Sequence, residues 1–312
     1  MVEPEPASRS TESMKLAILF WCYKDPRLCQ DRLRLLRRDN PRALIYVLYG
    51  GDPAQAPSFR AVLERFVDDF YVFDDPPPSG ADDLVSRFRG GVHWKYVFGD
   101  LLLAAWHRDR GVHLEWDTVV VVQWDMLVYG PIERVFACLQ PDQVLFSGLR
   151  PVREVEEHWA WVAPSQRAAR ATYLEFLAHV RERHGFAADP LCYVAIVTCL
   201  SRAFLERFAA IERPELGFLE YRLPIYAQIF GTPICTDHPF RPWWGAIEPY
   251  SRWSTLRARP VEISPATILV NLLRRDGARV FHPYWRRAPA GVVGWAAAFG
   301  GALRRALTRI EA

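Results

Sequence analysis

The chain has 312 residues, half of them hydrophobic, enough to bury the core of one large α/β domain or two modest ones. Its formal net charge of +3 is close to neutral for this length and does not point to nucleic acid, which is not expected as a partner. No apolar run reaches the roughly 18 residues of a membrane span, and Met1 to Ser13 carry acids, prolines and serines where a secretory signal has an apolar region.

Residues 1–14 are expected to be a disordered tail, 15–288 a single domain and 289–312 a C-terminal amphipathic helix. Leu16 to Trp21 is a short apolar strand that runs into the loop Cys22-Tyr23-Lys24-Asp25-Pro26. Arg27 to Arg38 has the pattern of a basic amphipathic helix with Leu28, Leu33, Leu35 and Leu36 turned inward. A second buried strand, Leu44 to Tyr49, ends in Gly50-Gly51-Asp52, and a helix over Ser58–Phe66 leads to a third strand, Phe70 to Phe73. Strand, helix and strand at such short spacing mark a parallel sheet with crossover helices.

Gly90-Gly91 precede a helix expected to run from about Trp94 to Arg108, with Lys95 in its first turn. Free N–H groups and a lysine there suit a phosphate, while a linker before an ordinary helix is the simpler explanation. Next comes Asp117 to Asp125, with four consecutive valines, Val119 to Val122. An unbroken apolar strand is buried on both faces, and its carboxyl end is where open α/β sheets bind ligands. Gln123, Trp124 and Asp125 are delivered to that edge. Asp125 is either a ligand for a hard cation or a solvated residue opening the turn before Gly130-Pro131.

A helix over Ile132–Leu139 and a strand ending at Ser147-Gly148 follow, then a Trp-rich loop region to Arg170 and a helix to His184. Ser201 caps another helix. Pro224 suits the first turn of a helix through Phe230, which puts Glu220 on the entry loop. Thr232 to Thr236 is a strand and Ala278 to Phe281 a last strand or extended segment that delivers His282. From Pro289 onward, Trp295 and other apolar residues alternate with Arg304, Arg305 and Arg309 on a helical period. Such a tail either lies in a membrane interface or packs on its own domain. The six cysteines (Cys22, Cys29, Cys138, Cys192, Cys199, Cys235) have no C-x-x-C pair and no zinc spacing, as expected of reduced thiols in a cytoplasmic protein.

Taken in order, Gln123-Trp124-Asp125, Ser147-Gly148, Glu220 within Phe218-Leu219-Glu220-Tyr221, and His282 resemble the motifs of GT-A-fold glycosyltransferases. The resemblance covers roughly residues 15–285 as an arrangement of short motifs. It implies an α/β fold, GT-A-like (Rossmann-like), with a mostly parallel central sheet flanked by helices and a C-terminal amphipathic helix. It further implies transfer of a sugar from a nucleotide-diphosphate-sugar, UDP-sugar favoured, to an acceptor hydroxyl. Asp125 and His282 would hold a divalent cation, Mn2+ or Mg2+, against the diphosphate. Asp52, Lys95, Gln123, Trp124 and Asp125 would face the donor, Gly148, Trp243 and Trp244 the acceptor, and Glu220 would be the general base of an inverting transfer. Trp159 and Trp161 are further stacking surfaces for sugar. Gln123 departs from the family, which has an Asp there, and so puts metal dependence in question. The acceptor is left open among carbohydrate, lipid-linked and small-molecule hydroxyls, with peripheral membrane contact through 289–312 as the lipid-linked case. Two other functions compete. A catalytically inactive nucleotide- or glycan-binding module would account for Gln123. A sugar nucleotidyltransferase would share the sheet, but normally has a Gly-rich basic loop where this chain has Cys22 to Pro26.

Overall fold

The computed structural model describes residues 14–78, 94–245, 247–289, 293–298 and 300. The expected disordered tail, the Gly90-Gly91 turn and most of the helix beyond 289 lie outside them. The first half alternates strand and helix. β1 (Leu16–Cys22) leads to α1 (Pro26–Asp39), β2 (Leu44–Tyr49), α2 (Ala56–Leu63) and β3 (Asp69–Val72). Two helices broken at Phe98, α3 (Trp94–Val97) and α4 (Gly99–Asp109), then precede β4 (Thr118–Gln123). The remaining elements are β5 (Leu127–Val128), α5 (Ile132–Val135), β6 (Leu145–Phe146), β7 (Arg150–Pro151), α6 (Arg167–His184), β8 (Leu191–Cys192), β9 (Thr198–Ser201), α7 (Arg202–Phe208), α8 (Leu219–Phe230), α9 (Pro265–Leu273) and β10 (Val280–Phe281).

The main sheet has six strands in the order β3-β2-β1-β4-β9-β6. β3, β2, β1 and β4 are parallel and β9 is antiparallel to both its neighbours, so the sheet is mostly parallel as expected. β1 and β4 sit at the centre, and Ala17 to Phe20 and Val119 to Val122 are essentially solvent-free. An unbroken aliphatic strand is stable only when both of its faces are covered. Right-handed crossovers put α1 and α2 on one face. They put α4 on the other, because the step from β3 to β4 reverses direction across the sheet. α1 starts where Asp25, in a left-handed turn, accepts the N–H of Leu28 at 2.9 Å, with Pro26 in the first turn.

Three expectations change on the far side of the sheet. The strand expected over Thr232–Thr236 makes only an isolated parallel bridge, Ile234 to Val144, because β6, at the edge of the sheet, is only two residues long and offers it little backbone to pair with. The helix after Ile132 stops at Val135 instead of Leu139. α8 is continuous from Leu219 and contains Pro224 in its interior. All six cysteines are free thiols, and no described helix is long and apolar enough to cross a membrane.

A second, smaller core gathers Leu35, Leu127, Tyr129, Ile263, Ile268, Phe281, Tyr284 and Trp295. Trp295 is fully buried in it and donates its indole N–H to the hydroxyl of Tyr129 at 3.0 Å. Of the two expectations for this tail, packing on its own domain is the one that accounts for Trp295.

Candidate active site

Because β1, β2 and β4 are parallel and in register, their carboxyl ends Cys22, Tyr49 and Gln123 open on one edge. The loop after β1 presents Tyr23 and Lys24 there. Tyr23 meets Trp124 edge-on at 5.8 Å, and the Lys24 ammonium sits 4.5 Å over the Trp124 ring. Asp52, after β2, is exposed and caps a short turn by accepting the N–H of Ala54 at 3.0 Å. Lys95 reaches the same loop, and its ammonium donates to the carbonyls of Gly50 (2.8 Å) and Gly51 (3.1 Å). It fastens the loop that carries Asp52, with part of its hydrogen-bonding capacity already in use.

Asp125 and His282 are far apart in sequence and adjacent in space. β10 pairs antiparallel with β5, Phe281 opposite Leu127, so the chain leaving β10 returns alongside the residues just before β5. His282 Nε2 stands 3.5 Å from Asp125 Oδ1. The N–H of Tyr284 donates to the Asp125 carbonyl at 2.8 Å and the Trp285 indole N–H to Asp125 Oδ2 at 3.4 Å. Burial raises the Asp125 pKa, but His282 and the Trp285 N–H more than offset it and hold the carboxyl below its ordinary range. Asp125 Oδ1 and His282 Nδ1 are buried without hydrogen-bond partners. One carboxylate oxygen and one imidazole form a donor set that fits Mn2+ or Mg2+. No group of three or more His, Cys, Asp or Glu occurs among the described residues, so a cation here would need further ligands from a diphosphate and water.

The segment bearing His282 is strapped down by α1. Arg32, 1% exposed, donates to the carbonyls of Tyr284 (2.7 Å) and Arg286 (2.8 Å), while Asp31 accepts from Arg32 and from the N–H of Ala288, both at 2.8 Å. Glu262 adds the N–H of Trp285 at 3.0 Å and the Arg286 guanidinium at 2.7 Å.

Glu220 lies in the first turn of α8, not on an entry loop. The X-Pro rule misplaces the helix start because Pro224 is tolerated inside it. The carbonyl that Pro224 leaves without an intrahelical donor, that of Glu220, takes the N–H of Tyr193 at 2.9 Å. The Glu220 side chain is 9% exposed, and its Oε1 accepts the N–H of Ala195 at 2.7 Å. Burial pushes its carboxyl up to about 8 despite that hydrogen bond. The carbonyl of Ala195 accepts the amide of Gln123. Gln123 and Glu220 thus hold the two sides of one peptide residue, which ties the end of β4 to the start of α8. Below them, Arg222 and Asp100 form an ion pair with no solvent exposure, anchoring α8 to α4.

The expected acceptor residues also converge. Gly148 has φ +65°, and a Cβ there would come within 2.5 Å of Pro242 and 2.8 Å of the Trp244 indole nitrogen. Its backbone and its close approach both call for glycine. Gly148 and Trp243 line a cleft of about 190 Å³. Trp159 bridges from this cleft to α8, meeting Trp244 at 5.6 Å and Phe218 at 6.4 Å, and Trp161 stacks on Phe218 at 3.7 Å. Tyr96, more than half exposed, stands 6.1 Å from Trp161.

Sequence reasoning missed Arg32, Ala195, Tyr96 and Trp285. Arg32 resembles every other arginine of a basic helix, and Ala195 acts only through its backbone. Trp285, three residues after His282, was the one recoverable signal.

The chain matches no family model and no curated protein. Its structural neighbours include several glycosyltransferases and a cytidylyltransferase from Leptospira borgpetersenii. It is similar to the galactosyltransferase LgtC in complex with donor and acceptor sugar analogs, at 12% identity over 91% of this chain and 95% of that one, TM-score 0.45. The bifunctional glycosyltransferase WbbM in its apo structure is similar at 11% identity over 93% of this chain and 50% of that one, TM-score 0.42. The mannosyltransferase PcManGT from Pyrobaculum calidifontis, in complex with GDP-Man and Mn2+, is similar at 14% identity over 74% and 56%, TM-score 0.39. At these scores the likenesses say nothing about chemistry, which has to come from the residues themselves.

Proposed function

We propose that this protein is a glycosyltransferase that moves a sugar from a nucleotide-diphosphate-sugar, UDP-sugar favoured, to an acceptor hydroxyl with inversion. The observation that carries the proposal is the pairing of two carboxylates on one ligand-binding edge. Asp125 stays ionised beside His282, while Glu220 is buried, proton-hungry and fixed through Ala195 to the same strand end. Environments that push two carboxyl pKa values apart assign them different roles.

Asp125 and His282 would hold the divalent cation, which when bound neutralises the charge developing on the departing nucleoside diphosphate. Trp285 and Tyr284 fix the orientation of Asp125. Lys95 and Asp52 shape the loop after β2 that would receive ribose and base, and Lys24 offers a cation beside Trp124. Glu220 takes the proton from the acceptor hydroxyl as its oxygen bonds to the anomeric carbon and the sugar–phosphate bond breaks. A pKa near 8 makes it a stronger base than an ordinary carboxylate. The aromatic wall of Trp159, Trp161, Phe218 and Trp244 excludes water from that transfer.

The test is a thermal-shift panel of UDP-, GDP-, dTDP- and CDP-sugars with and without Mn2+, followed by assay of released nucleoside diphosphate. Stabilisation by one sugar nucleotide, dependent on Mn2+, together with acceptor-dependent release, is the expected result. Binding without release would mark a catalytically inactive module. Consumption of a nucleoside triphosphate and sugar phosphate would mark a nucleotidyltransferase.

A further inference from the structure

We propose that the cleft between Gly148 and Trp243 receives an anionic group of the acceptor, a phosphate or a carboxylate. This deepens the glycosyl-transfer proposal by naming the acceptor class. The cleft walls include Arg150, Arg241, Trp243, Ser251 and Ser254. Residues 241–259 contain four arginines, Arg241, Arg252, Arg257 and Arg259, against one carboxylate, Glu248. That carboxylate is already in use: one oxygen accepts from Arg150 at 3.0 Å and the other lies 3.4 Å from the backbone N–H of Trp244. Arg241 meets no carboxylate among the described residues. Its recorded contact is the ring nitrogen of His238 at 3.4 Å. The wall therefore keeps a net positive charge.

Two buried donors beside the cleft lack acceptors, Nε of Arg150 and Nε1 of Trp244. Buried N–H groups are normally paired, so donors left open at a cleft point to acceptor atoms arriving with a ligand. The Trp244 nitrogen lies against Gly148, where any Cβ would crowd it. The Arg150 guanidinium stacks 4.9 Å over the Trp244 ring, which keeps its planar donor edge in a fixed orientation. A neutral sugar hydroxyl always brings an O–H donor that itself needs an acceptor, whereas phosphate and carboxylate oxygens only accept. A wall this rich in donors is better matched by phosphate or carboxylate oxygens.

The position also suits an acceptor. β7, which carries Arg150, pairs with β8 at Cys192, the neighbour of the Tyr193 whose N–H holds the Glu220 carbonyl. An anion seated at Arg150 and Arg241 would be held on the same wall as Glu220.

The experiment titrates the full-length protein by calorimetry with glucose 6-phosphate, glucuronate and glucose. Cosedimentation with phosphatidylcholine vesicles, with and without phosphatidic acid, forms a separate arm. At least one anionic probe should bind about tenfold or more tightly than glucose, and Arg241→Gln should remove about that factor. Arg150→Gln should do the same if it melts like wild type, and exposed Arg241 keeps the test valid if it does not. Binding of the soluble phosphate assigns a sugar phosphate, and binding only to phosphatidic acid vesicles assigns a lipid phosphate. Equal binding of glucose and all the anionic probes, or unchanged anion binding by Arg241→Gln, overturns the proposal. UDP titrated in parallel separates the two ideas. Anion binding without any nucleotide binding would leave the cleft assignment standing and remove the glycosyltransferase proposal.

Discussion

Pro224 leaves the carbonyl of Glu220 without its helical donor, and the N–H of Tyr193 fills the place at 2.9 Å. Two residues later along the same segment, the N–H of Ala195 holds the Glu220 side chain at 2.7 Å. One short stretch of backbone thus fixes both the main chain and the carboxylate of a single residue. A proline inside a helix usually costs stability. Here the orphaned carbonyl is satisfied across elements, and the result is a carboxylate with little freedom to turn.

Glu220→Gln preserves the size and the Ala195 hydrogen bond and removes the basicity. Turnover should fall about a hundredfold or more, with donor affinity nearly unchanged. Steady-state kinetics and nucleotide titration check this, and the anomeric configuration of the product checks it independently. A retained configuration, or normal turnover by the variant, would remove Glu220 as the base.

The raised carboxyl also sets the pH behaviour. Activity should rise with pH through about 8, as Glu220 gives up its proton. Stability should move the other way. A folded-state pKa above the ordinary 4.5 means that stability is fully present below about 4.5 and is lost as pH rises through about 8. Melting temperatures of wild type and Glu220→Gln should therefore diverge over that window, the variant becoming relatively more stable toward alkaline pH. Parallel curves would mean that the folded carboxyl titrates normally.

What the sequence revealed follows from which signals are local. Val119 to Val122 announce a strand covered on both faces, so the central sheet and the placing of Asp125 at its carboxyl edge were readable. Gly148 stood out through the family resemblance, and Trp243-Trp244 as a tryptophan pair beside a proline on a loop; the structure brings Gly148 against Pro242 and the Trp244 indole. Glu220 was singled out but set on the wrong element, since the bias against helix before proline ignores a donor from another segment. Ala195 was invisible, because a backbone N–H looks the same at every residue. Trp295 was ambiguous, because an amphipathic helix looks the same whether its apolar side meets lipid or protein.

Asp125→Asn keeps the fold, because the contact from Tyr284 is to its backbone carbonyl. It removes the charge that would attract a divalent ion. Mn2+-dependent nucleotide affinity should fall about a hundredfold with an unchanged melting temperature in the absence of ligand. Excess EDTA should reduce wild-type turnover correspondingly. Wild-type turnover that survives EDTA would show that Lys24 and other cations suffice without metal.

Arg32 holds the segment that brings His282 and Trp285 to Asp125. Arg32→Met should lower stability by about 2–4 kcal/mol, since the carbonyls of Tyr284 and Arg286 lose their donor in a buried place. Mn2+ affinity in the presence of UDP should also weaken by about tenfold, as for other residues that orient metal ligands. Arg32→Lys, which keeps the charge but not the fork, should recover stability better than metal affinity. Equal losses in both would assign Arg32 to the fold alone.

Trp295 decides between a tail that serves a membrane and one that serves the core. Its ring is fully buried, 5.3 Å from Tyr284 and 6.5 Å from Tyr129, whose hydroxyl accepts its N–H at 3.0 Å. Truncating a buried tryptophan to alanine costs about 3–5 kcal/mol. Trp295→Ala should therefore lower the melting temperature and leave liposome cosedimentation as it is in wild type. The small core that would lose this ring also contains Phe281 and Tyr284, which flank His282. Mn2+-dependent nucleotide binding should weaken alongside stability, although residue 295 makes no contact with Asp125. An unchanged melting temperature with reduced liposome binding would restore the interfacial role to this tryptophan.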